Sequence, residues 1–111
     1  MEKYIEATTF TGSDFKVMTA FEGWKIGFLR YSDRFSDFKV IERHNETDEV
    51  FVLLEGTAKL YVEDESVEME KCTVYNVKKG LWHHIVVSPD ATVMVVENSN
   101  TSLANTERRS V

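Results

Sequence analysis

Apolar residues along the chain either alternate with polar ones or gather in short runs rich in Val, Phe and Tyr, and the spacing of an amphipathic helix is hard to find. The pattern predicts an all-β protein with strands over Phe15 to Phe21, Trp24 to Tyr31, Phe38 to His44, Glu49 to Glu55, Thr57 to Val62, Ser66 to Met69, Thr73 to Val77, His83 to Val87 and Thr92 to Glu97. Turn chemistry separates them. Gly23, Gly56 and Gly80 can take positive φ, Pro89 presets φ in a type I turn opened by Ser88, and Asn45-Glu46-Thr47-Asp48 forms a polar connection. Short strands joined this way predict an antiparallel sandwich or barrel. The barrel is expected over about residues 13–98, with the termini, 1–12 and 99–111, either loose or adding edge strands to a neighbouring subunit.

Length and charge narrow the partners. A chain of 111 residues is one domain with one core, and 13 Lys and Arg against 19 Asp and Glu leave a net charge of −6, which excludes a polyanion such as nucleic acid. The apolar runs Val50 to Leu54 and Ile85 to Val87 fall far short of the ~20 residues of a membrane helix. The N-terminus lacks the basic start and apolar run of a signal peptide, and the single Cys72 makes no internal disulfide, so the expected location is the reducing cytoplasm.

The candidate chemistry centres on the scarce histidines, His44, His83 and His84. A period of two puts Phe38, Val40, Glu42 and His44 on one face of their strand, apolar until it changes to a carboxylate and an imidazole. Both are ordinary ligands of a divalent first-row metal. A hairpin returns Glu49 beside His44, with Phe51 and Leu53 on the same face. His83 opens a later strand with Ile85 and Val87, which leaves His84 pointing outward. Glu42, His44, Glu49 and His83 therefore all fall where a strand meets a loop, the mouth of a barrel. Phe38 and Phe51 share faces with these residues and are candidates to line a substrate pocket; Arg30 either anchors an anionic substrate there or ends its strand in solvent. Cys72 is expected as a small buried hydrophobe.

With those residues placed, the chain resembles a small single-domain, bacterial-type metal-binding member of the cupin superfamily. The first motif of that family runs Gly, five residues, His-x-His, three or four residues, Glu, six residues, Gly. Here Glu42-Arg43-His44 stands in the His-x-His place, four residues separate His44 from Glu49, and six separate Glu49 from Gly56. The second motif runs Gly, five residues, Pro-x-Gly, two residues, His, three residues, Asn. Gly80-Leu81-Trp82-His83 supplies its centre, and Cys72 stands where its opening Gly would be. Ser36, Glu42, Lys78 and Val87 depart from the pattern.

The resemblance implies an antiparallel double-stranded β-helix, a jelly-roll-like barrel, with a divalent metal ion (iron, manganese, zinc or nickel) at one open end and a homodimer as its assembly. The metal set is either Glu42, His44, Glu49 and His83, or His44, Glu49 and His83 with Glu42 behind them. Three functions stay open: a metal-dependent enzyme acting on a small oxygen-rich molecule by dioxygenase or isomerase and lyase chemistry, with Glu42, Glu49 and His83 as candidate catalytic groups; a non-enzymatic module that binds or senses a small molecule; and a metal-free acid and base barrel like the sugar-nucleotide epimerases.

Overall fold

The computed structural model describes residues 4–37 and 39–111; Phe38, a candidate pocket residue, lies outside the described residues. Among the described residues the strands are β1 (Phe15–Phe21), β2 (Trp24–Arg30), β3 (Val40–His44), β4 (Glu49–Glu55), β5 (Ala58–Val62), β6 (Glu65–Glu68), β7 (Tyr75–Val77), β8 (His83–Val87), β9 (Thr92–Asn98) and β10 (Thr106–Ser110). They form two five-stranded antiparallel sheets, ordered β1-β2-β9-β4-β7 and β10-β3-β8-β5-β6. Among the described residues no helix is long and apolar enough to cross a membrane.

Alternation decides what enters the core. On β4, Phe51 and Leu53 are buried while Val50, Val52 and Leu54 face outward and are half-buried or exposed. On β9, Val93 and Val95 are almost wholly enclosed, and they pair with Leu53 and Phe51 across the sheet. Leu60 and Ile85, opposite each other on β5 and β8, supply the facing layer. Apolar side chains from the two inner faces thus fill the space between the sheets.

Two local features differ from expectation for identifiable reasons. Cys72 is exposed, not buried, and takes φ of 61°. That is the left-handed conformation glycine adopts freely, in keeping with its place at a motif glycine. The expected strand from Thr73 shortens to begin at Tyr75, whose hydroxyl accepts the Glu70 backbone N–H at 2.8 Å and closes the preceding segment into a turn.

The larger difference is β10. The C-terminal segment adds an edge strand to its own sheet: it pairs antiparallel with β3 of the same chain, Thr106 opposite His44 and Arg108 opposite Glu42. Its sequence, TERRS, has no apolar alternation because polar contacts dock it. On the outer side, the guanidinium groups of Arg43 and Arg109 lie over the Trp82 ring, 4.6 and 4.3 Å from its centroid, and Glu107 accepts from Arg43 and Asn45.

Gly56 closes the β4–β5 turn at φ of 72°, with the Ala91 backbone only 2.6 Å from where a Cβ would stand. Gly56→Ala is therefore expected to destabilise the protein by at least about 1–3 kcal/mol, the usual cost of a left-handed non-glycine residue, with the clash added. Urea unfolding measures it, and an unchanged midpoint would contradict this packing.

Candidate metal centre

The two sheets meet in a half-open cavity of about 560 Å3, walled by Phe15, Leu29, Phe51, Ile85 and Val95 and polar at one end. The polar end is assembled from both sheets. Glu42 and His44 come from β3, and His83 on β8 stands directly opposite Glu42. Glu49 begins β4 and stands opposite Glu97 of β9 in the other sheet. One ligand atom from each of Glu42, His44, Glu49 and His83 lies within 4.8 Å of the others. The sequence therefore placed these four residues together by strand parity, and the fold brings them together.

Glu49 and its neighbour Asp48 have opposite tasks. Asp48 turns outward, accepting the Lys79 backbone N–H at 2.8 Å and the Asn76 amide at 3.2 Å, which ties the β3–β4 turn to the loop ahead of β8. Glu49 turns inward and is buried. Its Oε1 lies 3.0 Å from both His44 Nε2 and His83 Nε2.

The far nitrogens of the two rings fix their tautomers. Thr106 Oγ1 gives its only proton to the Ser102 carbonyl at 2.7 Å, so at 2.9 Å from His44 Nδ1 it can only accept. His83 Nδ1 lies 3.1 Å from the Leu81 carbonyl, which also only accepts. Both neutral imidazoles consequently carry hydrogen on Nδ1 and aim an Nε2 lone pair at the same carboxylate oxygen. Three acceptors facing one another need a positive charge among them, either protons on the rings or a cation. Their 3.0 Å separations suit adjacent ligands of a first-row ion, whose bonds run about 2.0–2.2 Å. Glu42 completes the group from the side: its Oε1 is 3.7 Å from His44 Nε2, while Oε2 accepts from Arg108 Nε at 2.9 Å. The donor set fits a divalent metal ion.

Three residues behave differently from expectation. Arg30 does not line the cavity: it lies on the opposite side of β2 from Leu29, donating to the Phe10 carbonyl at 2.8 Å and to Thr92 Oγ1 at 3.1 Å. His84 is buried rather than outward in solvent, because the single turn Asp33–Phe35 covers it: Phe35 stacks on its ring and the Asp37 carbonyl accepts from Nε2 at 2.9 Å. Glu97 was not singled out, although Val93, Val95 and Glu97 share the signature that marked Glu42 and His44, an apolar inward face ending in a polar group. It lines the cavity beside Glu49, with Lys25 Nζ 3.6 Å away.

In the metal-free cluster these groups shift one another. Burial acts to raise the Glu49 carboxyl, but hydrogen bonds from His44 and His83 outweigh it and hold the group well below the usual carboxylate range. Burial acts to lower His83, and the hydrogen bond and charge of Glu49 reverse that, raising it. Glu97, desolvated and next to Glu49, is pushed up to about 8.

No protein-family model and no curated protein matches the chain. Solved structures do. A cupin-2 domain protein from Shewanella frigidimarina aligns with 80% of this chain and 84% of its own at 20% identity, with a TM-score of 0.65. The chain has the cupin fold. KdgF from Halomonas sp. aligns with 76% of each chain at 14% identity and a TM-score of 0.63. A variant of salicylate 1,2-dioxygenase from Pseudoaminobacter salicylatoxidans covers 98% of this chain with 33% of its own, at 13% identity and a TM-score of 0.65. A variant of Streptomyces PAC13 solved with uridine covers 87% of this chain with 76% of its own, at 10% identity and a TM-score of 0.68. In this cupin barrel the His and Glu cluster occupies the polar end of the cavity.

The shifts set a pH dependence for the metal-free protein. An unfolded Glu97 ionises near 4.5 but the folded one near 8, so between those values the folded state binds more protons and stability falls as pH rises. His83 acts in the same direction: its stabilising contribution is complete below 6.5 and lost as pH climbs through its raised pKa. Glu49 acts in acid, where its contribution, present above 4.5, is lost as pH falls. The melting temperature of metal-free protein is expected to fall from about pH 6 to about pH 9, and Glu97→Gln to flatten that slope. A slope that is flat in the wild type, or unchanged in the variant, would contradict the cluster's charge state.

Proposed function

We propose that this cupin is a metal-dependent enzyme acting on a small oxygen-rich molecule, with His44, Glu49 and His83 holding a divalent ion and Glu42 as a fourth ligand. The observation that carries the reading is the convergence of two Nε2 lone pairs and one carboxylate oxygen at the end of a cavity of about 560 Å3. A cavity of that size, largely apolar with polar groups at one end, suits a small organic ligand. When bound, the ion supplies Lewis acidity toward a carbonyl, carboxylate or enolate oxygen, or a dioxygen site if it is ferrous.

The chain's own groups do the rest. Thr106 and the Leu81 carbonyl orient the two imidazoles, and Arg108 holds one oxygen of Glu42 so that the other faces the cluster. Phe51 sits edge-on to His83 and keeps that side of the cluster dry. Glu97 lines the cavity beside Glu49 and is the carboxyl positioned to give a proton to a ligand or take one. Barrels of this shape support unlike reactions, since the structural neighbours include a nucleoside dehydratase and a dioxygenase, so the reaction belongs to the site and not to the fold.

The homodimer expected of such a barrel would use the outer face of the β1-β2-β9-β4-β7 sheet, where Trp24, Ile26, Phe28, Val52, Leu54 and Met94 form an incompletely covered apolar surface. Light scattering is expected to return twice the chain's mass; the mass of one chain would contradict it.

Protein purified without nickel resin is expected to hold close to one equivalent of a single first-row metal by elemental mass spectrometry, lost in His44→Ala and in His83→Ala. Thr106→Val, which frees the His44 ring, is expected to weaken metal binding about 10- to 100-fold. Wild-type protein that takes up no metal on reconstitution would overturn the reading.

A further inference from the structure

The cavity mouth carries more positive charge than the metal set requires. Arg34, in the turn that covers His84, and Arg108, on β10, approach Glu42 from two sides, and Lys39 lines the same rim. Glu42 is largely buried, whereas the two arginine side chains are 44% and 51% exposed. One carboxylate does not satisfy both. Arg108 Nε bonds to Oε2 at 2.9 Å, but the nearest Arg34 nitrogen stays 3.8 Å from Oε1, beyond hydrogen-bond reach. Among the described residues neither guanidinium has another acceptor, although each carries five N–H donors. Arg34 is held in place from below, its guanidinium 4.8 Å from the centroid of Phe35.

The charge balance points the same way. The three cations Arg34, Lys39 and Arg108 stand against the four lining carboxyls Asp33, Glu42, Glu49 and Glu97, so even with all four ionised a divalent ion at the cluster leaves this end of the cavity with a net charge of +1 within a chain of net charge −6. Beyond the rim the walls are apolar: Phe15, Leu29, Phe51, Ile85 and Val95.

Resting on the metal-centre reading above, we infer that Arg34 and Arg108 form an anion subsite at the rim, and that the substrate is a small organic carboxylate with an apolar body. A carboxylate can take the free guanidinium donors in paired hydrogen bonds while its carbon skeleton fills the apolar wall, and a neutral analogue of the same shape forgoes those charge-assisted contacts.

Benzoate and benzamide, nearly the same in shape and different in charge, are the probes. Their binding to zinc-loaded protein is read by NMR titration, with zinc content measured for every variant. Benzoate is expected to bind at least about tenfold more tightly than benzamide, the worth of one charge-assisted hydrogen bond. In Arg34→Gln, which leaves the Glu42–Arg108 bond in place, that preference is expected to fall with zinc content unchanged; in Arg34→Gln/Arg108→Gln, kept loaded by excess zinc, it is expected to disappear, and Arg108→Lys, which keeps the charge, to retain part of it. Equal binding of the two probes, no binding of either, or a benzoate preference that survives in the double variant would overturn the inference. Failure of the metal reading registers separately, as absent zinc, while the dependence of the benzoate preference on the two arginines is still measured on the same protein.

Discussion

One carboxylate oxygen holds the open end of this barrel together. Glu49 Oε1 extends from one sheet and stands 3.0 Å from imidazole nitrogens on two strands of the other. Elsewhere the sheets are joined by side-chain packing, which is adaptable; here they are joined by a contact between groups that repel one another unless a proton or a cation lies between them. The buried mouth is consequently stable only with a positive charge at its centre. Several other features serve that contact: Asp48 fixes the turn from which Glu49 emerges, Thr106 and the Leu81 carbonyl fix the rings, and Phe51 packs against His83.

The C-terminal strand makes the arrangement of β3 intelligible. With β10 in place, both inward-facing polar residues of β3 gain a partner from it, His44 from Thr106 and Glu42 from Arg108. The same strand places a guanidinium at the cavity rim. A segment with almost no apolar content thus supports two cluster residues and shapes what the cavity can accept, and it is kept in place by the Arg43, Trp82 and Arg109 stack on its outer side.

Much of this was legible in the sequence wherever burial and parity coincide. β1, β4 and β8 have the bounds that alternation predicts: β4 and β8 each place an apolar row against the core, and β1, an edge strand, contributes Phe15 to it. Glu42, His44, Glu49 and His83 stood out as polar interruptions at the ends of such rows, and Glu97 carries the same mark. β10 was invisible to this logic, since its strand is bought with ion pairs, a cation–π stack and backbone pairing and not with apolar burial. Arg30 and His84 were misplaced for a related reason. Parity names the face of a strand but not what covers it: Phe10 covers Arg30 on the outer side of its sheet, and the turn Asp33–Phe35 covers His84.

The central claim, that two Nδ1-protonated imidazoles aim their Nε2 lone pairs at Glu49, is tested most directly by nitrogen-15 NMR of the histidine rings. In metal-free protein at about pH 9, both His44 and His83 are predicted to show hydrogen on Nδ1, and zinc is predicted to shift both Nε2 resonances while the Nδ1–H signals persist. Either ring found with hydrogen on Nε2 and none on Nδ1, or a zinc titration that leaves the Nε2 resonances unmoved, would contradict the account.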